Sequence, residues 1–414
     1  MTGYEHFRPE PPATRLMRPR RRIRPILLLM HRYVGLILAP ILCLAGLTGS
    51  ISVYRDEIDA ALNPDLFTTT GRDRHLPLST LLENARRDFP DAEIWALAYR
   101  PPPGHTIRGF LLPPRDGKAA RSNDEFFLAP DDGRLIGARA SEGCCLTRRE
   151  AMPFIYRLHY ALDLGITGTW ILGIAAMVWT IDCVVGLALT FPLGKAPWRS
   201  EFWSKWKHIW TISISRGPVR ALFDLHRAVS LWLWIVLLGM AVSGVALALG
   251  SQVFEPVVRT LLPSERSAAI APGADCPTRI KSRPAIDAAE AQAECFVWRH
   301  GIHEPPAAVI LDSSGKSATF YLFGPDGREP AGLGSPVVTV DLTSGLLSDE
   351  TVPGHGRLGD LVLQMQDPWH SGRLAGTAGR IMICLSGIAV AILSVTGVMI
   401  WIRKRKFRTI LRLK

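Results

Sequence analysis

Four of the eleven histidines in this 414-residue chain stand where apolar runs begin. His31 heads LMHRYVGLILAPILCLAGLTG and His226 heads FDLHRAVSLWLWIVLLGMAVSG, each followed by an arginine, Arg32 and Arg227. His159 in LHYALDLGITG and His370 in WHSGRLAGTAG precede two further apolar runs in the same way. Ionisable side chains at membrane depth are costly and mark functional sites. Two imidazoles facing each other across a helix bundle suit a bis-histidine haem iron. Zinc is disfavoured, because no Cys, Asp or Glu recurs beside these histidines to complete a four-ligand shell. Arg32 and Arg227 suit haem propionates, and snorkelling to a membrane surface serves them equally.

These residues must be positioned by spans. Runs near 33–54, 169–191, 229–250 and 381–402 are long enough to cross a hydrocarbon core, which takes about 20 residues. The first lacks a small-residue cleavage site and reads as an uncleaved anchor. The formal charge of +11 is concentrated beside the apolar runs, so it points to a bilayer and not to nucleic acid. RLMRPRRRIRP, KAPWRSEFWSKWKH and RKRKFRTILRLK then fall on one side, the cytoplasm by the positive-inside rule, with both termini cytoplasmic.

The chain is written twice. Aligning His31 with His226 places Arg32 on Arg227, Val34 on Val229 and Gly49 on Gly244. Aligning His159 with His370 places Gly165 on Gly376, Gly168 on Gly379 and Gly186 on Gly397. Each half is span, outward loop, span, a parallel repeat about an axis along the membrane normal. The expected fold is therefore a mainly α membrane protein, a four-transmembrane-helix bundle from an internal parallel duplication with two small α+β extracytoplasmic domains. Its divisions are a basic N-terminus 1–28, spans at 29–54, 158–192, 223–250 and 369–402 (the second and fourth including their histidine segments), outward domains 55–157 and 251–368, a cytoplasmic link 193–222 and a basic tail 403–414. Symmetry pairs His31 with His226 on the cytoplasmic side and His159 with His370 on the outer side.

Each outward loop shows an amphipathic helix, in PLSTLLENARRDFP and in RPAIDAAEAQAECFVWR, followed by short strands separated by turns such as DDG, SSG and TSG. The link presents Trp198, Phe202, Trp206, Ile209 and Trp210 at helical spacing among basic residues, an amphipathic helix for the leaflet surface, with His208 as a surface residue. Cys43, Cys183 and Cys384 fall in spans; Cys144, Cys145, Cys276 and Cys295 fall in oxidising loops, where Cys276 and Cys295 are the favoured disulfide. Asp182, deep in the second span, either handles a quinol proton, orients a buried partner or is a carboxyl bonded to a neighbouring helix. The loops differ most over 259–284, which would set substrate selectivity.

HRYVGLILAPILCLAGLTGSISVYRDEID, HRAVSLWLWIVLLGMAVSG and WHSGRLAGTAGR resemble segments of the PepSY-associated transmembrane family, and the similarity extends from about 26 to 406. Within that family the chain resembles bacterial inner-membrane ferric-siderophore reductases such as ferrioxamine reductases. It implies PepSY-like outward domains, two b-type haems held by His31, His226, His159 and His370, and a ferric siderophore reduced in the periplasm to release Fe(II). No GxGxxG fingerprint is present, so a quinol or a separate cytoplasmic reductase is the expected electron donor. Membrane lipid is the other expected partner. A siderophore or iron permease and a cofactor-free PepSY sensor or inhibitor are the alternative readings.

Overall fold

The computed structural model describes residues 20–70, 76–112, 124–143, 147–194, 197–215, 217–264, 285–324 and 327–412. Cys144, Cys145, Cys276 and most of 259–284 lie outside the described residues. Cys295 is disulfide-bonded, while Cys43, Cys183 and Cys384 are free.

The helices are α1 (Arg20–Ser52), α2 (Arg55–Leu62), α3 (Pro64–Phe67), α4 (Leu78–Asp88), α5 (Arg148–Ala161), α6 (Gly165–Thr190) and α7 (Ser200–Lys207). They continue as α8 (Pro218–Trp232), α9 (Trp234–Ala248), α10 (Glu255–Leu261), α11 (Ala285–Arg299), α12 (Leu358–Ser371) and α13 (Gly376–Arg412). Stretches within α1, α6 and α13 are long and apolar enough to span a membrane. The third expected span departs from a single helix: α8 and α9 are bent by 69° at Leu233 and count as a fourth span only if taken together. The bend is pinned by two indoles, Trp232 donating to the Trp210 carbonyl and Trp234 to the Cys183 carbonyl.

Helix pairing crosses the two halves of the sequence. α1 packs along α13, and α6 along α9. Contact between α1 and α13 depends on glycine, since a Cβ at Gly46 would lie 2.5 Å from the Gly387 carbonyl oxygen. Ser50 adds a 2.8 Å hydrogen bond to the Cys384 carbonyl. Close backbone approach through small residues is the usual means of joining helices in lipid.

At one end of the helices the segments that follow α1 and α9 meet in a single antiparallel sheet of order β4-β3-β2-β1-β5-β6-β7-β8. Strands β1 (Glu93–Ala98), β2 (Ile107–Leu112), β3 (Glu125–Leu128) and β4 (Leu135–Arg139) come from the first segment. β5 (Pro306–Leu311), β6 (Ser317–Leu322), β7 (Val337–Asp341) and β8 (Leu347–Thr351) come from the second. Instead of two separate sheets there is one, joined where Ala96, Leu97 and Ala98 pair with Ile310, Val309 and Ala308. The seam satisfies backbone groups that two isolated edges would leave open. One core runs across it, with Leu81 and Ala85 of α4 and Ala293 and Phe296 of α11 packed on Leu97, Phe126, Val309 and Phe320. Asp287 of α11 accepts from both the backbone N–H and the hydroxyl of Ser79 in α4, at 2.8 and 2.6 Å, tying the two covering helices together.

Candidate functional site

The corners before α6 and α13 carry the two histidines on the sheet side, His159 and His370. His159 lies in the final turn of α5, and His370 in that of α12. Each corner closes on a glycine of the next helix: a Cβ at Gly168 would meet the Ala161 carbonyl oxygen, and one at Gly379 the Gly372 carbonyl oxygen, both closer than any side chain allows. Ala161 and Gly372 each follow their histidine by two residues, so Gly168 and Gly379 set the height at which each imidazole enters the bundle.

The structure brings the four histidines together as two pairs. Ring centres of His159 and His370 lie 6.0 Å apart, and those of His31 and His226 lie 6.4 Å apart. A metal bonded to both Nε2 atoms at about 2.0–2.1 Å separates the two ring centres by roughly 6.4 Å. In all four rings Nδ1 is already engaged. His31 Nδ1 lies 3.0 Å from Asp182 Oδ1, His226 Nδ1 3.0 Å from Thr396 Oγ1, and His370 Nδ1 2.8 Å from Ser243 Oγ. His159 Nδ1 lies 3.1 Å from the Ala45 carbonyl oxygen, with Thr48 Oγ1 at 3.4 Å. Among the described residues nothing bonds to Nε2 of any of the four. That is the arrangement of metal-ligating histidines, whose second nitrogen is held by a carboxylate, carbonyl or hydroxyl.

Glycines leave room beside the rings. A Cβ at Gly49 would sit 2.7 Å from His159 Cε1, one at Gly397 3.3 Å from His226 Cε1, and one at Gly186 3.5 Å from His31 Cε1. Gly244, the repeat partner of Gly49, instead faces Ala176. Among the described residues no three His, Cys, Asp or Glu side chains gather as a metal cluster, and two facing imidazoles fall short of the four-ligand shell that a structural zinc takes. A bis-histidine haem fits this donor set.

The outer pair opens on a cavity of about 970 Å³ between the helices and the sheet. Its floor is apolar, formed by Ile41, Trp179, Met240 and Val390, and its walls include Gly49, Ala175 and Gly387. Towards the sheet the lining turns charged, with Arg55, Arg108, Arg373 and Arg380 opposite Asp56, Glu57, Glu329 and Asp367. Arg380 pairs with Glu57 at 2.7 Å, and Arg373 bonds both Glu329 and Asp367. Burial raises the Glu329 carboxyl above its ordinary value, outweighing Arg373. Behind the mouth runs a buried ladder: Arg139 holds Asp59 at 2.6 Å and Glu125 at 2.7 Å, and Glu125 also accepts from Arg108, which reaches Asp56.

The arginines expected near propionates separate. Arg227 is held by Asp224 at 2.9 Å, a carboxylate only 2% exposed that also bonds Arg220. Arg32 makes no ion pair among the described residues. Asp182 is the orienting partner of His31. Thr396 and Ser243 were not expected in this role. Ser243 could have been found, because the first-span alignment sets it against Thr48, and each lies beside an outer imidazole.

At the far end from the sheet, Phe191, Phe202, Trp206, Trp210 and Trp232 form a chain of ring contacts with centres 5.2–5.8 Å apart. Phe202 of the expected amphipathic helix is buried in it, whereas Trp198 is 84% exposed. His208 is exposed.

Compared with known families, residues 28–404 match the model described as the PepSY-associated TM region. No curated protein matches the chain.

Proposed function

The chain belongs to the PepSY-associated transmembrane family, and from that premise we propose that it is a haem-bearing reductase of the bacterial inner membrane acting on a ferric siderophore in the periplasm. The observation that carries this reading is the pair of facing imidazole couples with every Nδ1 engaged and every Nε2 left open. Two b-type haems bound there would supply one-electron carriers at two depths of the membrane.

The chain's own groups do the rest. Asp182, Thr396, Ser243 and the Ala45 carbonyl fix the tautomer and ring orientation of the four ligands. The cavity over His159 and His370 admits a chelate from the sheet side, against walls drawn from both halves of the chain. The positive-inside rule supports cytoplasmic termini, where a quinol or a separate reductase would deliver electrons.

The bend at Leu233 is the one observation that favours a permease, since transporters use broken spans. Both indoles at the bend are tied to neighbouring backbone, and a permease gives no reason for two facing imidazole pairs. The test is the visible spectrum of protein purified from haem-replete cells, oxidised and dithionite-reduced. It is followed by trapping of Fe(II) with a chromogenic chelator after mixing pre-reduced protein with ferric siderophore. A b-type spectrum that reoxidises as Fe(II) appears is the expected result; a colourless folded protein overturns the proposal.

A further inference from the structure

We propose that Arg220, Arg227 and Lys404 form a binding site for the phosphate of an anionic phospholipid at the end of the bundle far from the sheet. All three cations surround one ring: the guanidinium carbons of Arg220 and Arg227 lie 5.9 and 5.6 Å from the Phe223 centre, and Lys404 Nζ lies 5.4 Å from it. Arg220 and Arg227 belong to α8, and Lys404 to the last turns of α13, so two elements converge there.

Asp224 orients both arginines but offers only one negative charge for three positive ones. Lys404 is exposed and makes no ion pair among the described residues, and the Arg220 side chain is 44% exposed, so both are open to an anion from outside. The first turn of α8 carries no acid, so its free N–H groups add to the positive field. A phosphate diester supplies the missing charge and several acceptor oxygens, and arginine matches it with paired donors.

The apolar neighbours identify the rest of the ligand. Val219 and Phe223, one turn apart on α8, are 61% and 37% exposed and continue the apolar surface of the spans towards the headgroup level. α8 and α9 make a span only together, so the first turns of α8, with Val219, Arg220 and Phe223, stand at that span's end, at the headgroup level. An acyl chain against Val219 and Phe223, with its phosphate on the three cations, uses both features at once. Soluble phosphate would use only the charges.

Native mass spectrometry of the full chain in detergent, with phosphatidylglycerol and phosphatidylcholine of the same acyl chains supplied together, tests the site. Phosphatidylglycerol should be retained preferentially. The Arg220→Ala/Lys404→Ala variant should lose that preference by roughly 30-fold, from about 1 kcal/mol per basic side chain. Arg220→Lys/Lys404→Arg, which keeps both charges, should restore it. Equal retention of the two lipids by the unaltered protein overturns the proposal whether or not the alanine variant folds. Release of phosphatidylglycerol by millimolar inorganic phosphate overturns the lipid as the source of the phosphate. None of these readouts depends on haem.

Discussion

His31 and His226 face each other at 6.4 Å, yet their rings are held by unlike groups, a carboxylate of Asp182 on one and the hydroxyl of Thr396 on the other. A carboxylate behind a ligating imidazole raises its basicity and favours the oxidised metal; a hydroxyl does so less. Asp182→Asn should therefore raise the midpoint potential of one haem, weaken its retention by about 10- to 100-fold, and leave the other unchanged. Thr396→Val should act on the same haem with a smaller shift. Redox titration with haem quantification checks both; a shift confined to the other haem would break the assignment of Asp182.

Haem loss should follow the pairs. His159→Ala and His370→Ala should each remove the same spectral component, and His31→Ala and His226→Ala the other, since bis-histidine ligation needs both rings. Haem-to-protein ratios and difference spectra after each substitution decide it. Loss of one component by both His159→Ala and His226→Ala would show that the ligands are shared differently.

Two glycines beside the rings should behave unequally. Gly49→Ala puts a methyl 2.7 Å from His159 Cε1 and should displace that ring, whereas Gly186→Ala, at 3.5 Å from His31 Cε1, meets ordinary contact distance. The expected outcome is loss of the outer haem component in Gly49→Ala and retention of both in Gly186→Ala. Spectra of the two variants side by side provide the measurement.

The buried ladder makes the sheet acid-sensitive. Burial alone would raise the Glu125 carboxyl, but Arg108 and Arg139 outweigh it and hold its pKa below the ordinary value. Stability from this group is thus fully present above the ordinary glutamate range near about 4.3, and is lost as pH falls through the depressed folded value. Arg139→Met leaves Asp59 and Glu125, 2% and 1% exposed, without their shared cation, and should cost about 3–5 kcal/mol. Thermal unfolding between neutral pH and about pH 3 should show a smaller acid dependence in the variant than in the parent.

Orientation is checked by chemistry from outside the cell. Ser313→Cys in the sheet segment should react with a membrane-impermeant maleimide in intact cells, and Ser204→Cys in α7 should not, in a background without other exposed thiols. Reaction of Ser204→Cys would reverse the proposed direction of electron flow.

The parts of this molecule written into the sequence are those the repeat duplicates. His31 with His226, His159 with His370, and the corner glycines Gly168 and Gly379 recur because each half must solve the same local problem. The seam between β1 and β5 left no such trace, since it is made by backbone groups whose side chains, such as Ala96 and Ala98, would fit any sheet. Strand β8, LSDET, is a polar edge without apolar alternation and reads as loop. The bend at Leu233 lies in SLWLWIV, whose hydrophobicity is uniform through the break. Glu125 and Arg139 meet across the β3–β4 hairpin, but Asp59 reaches them from α2, 80 residues before Arg139, so the full ladder needs the fold.

The crossed pairing of α1 with α13 and α6 with α9 has a consequence for biosynthesis. At about 5–20 residues per second, α1 leaves the ribosome on the order of tens of seconds before the helix it packs against. During that interval Gly46 and Ser50 face lipid or an insertion chaperone instead of Gly387 and Cys384. Neither half can make these two crossed pairings alone, so a chain cut in the 193–222 link should assemble fully only when both fragments share one membrane, and premature termination before Gly376 leaves a product for proteolysis.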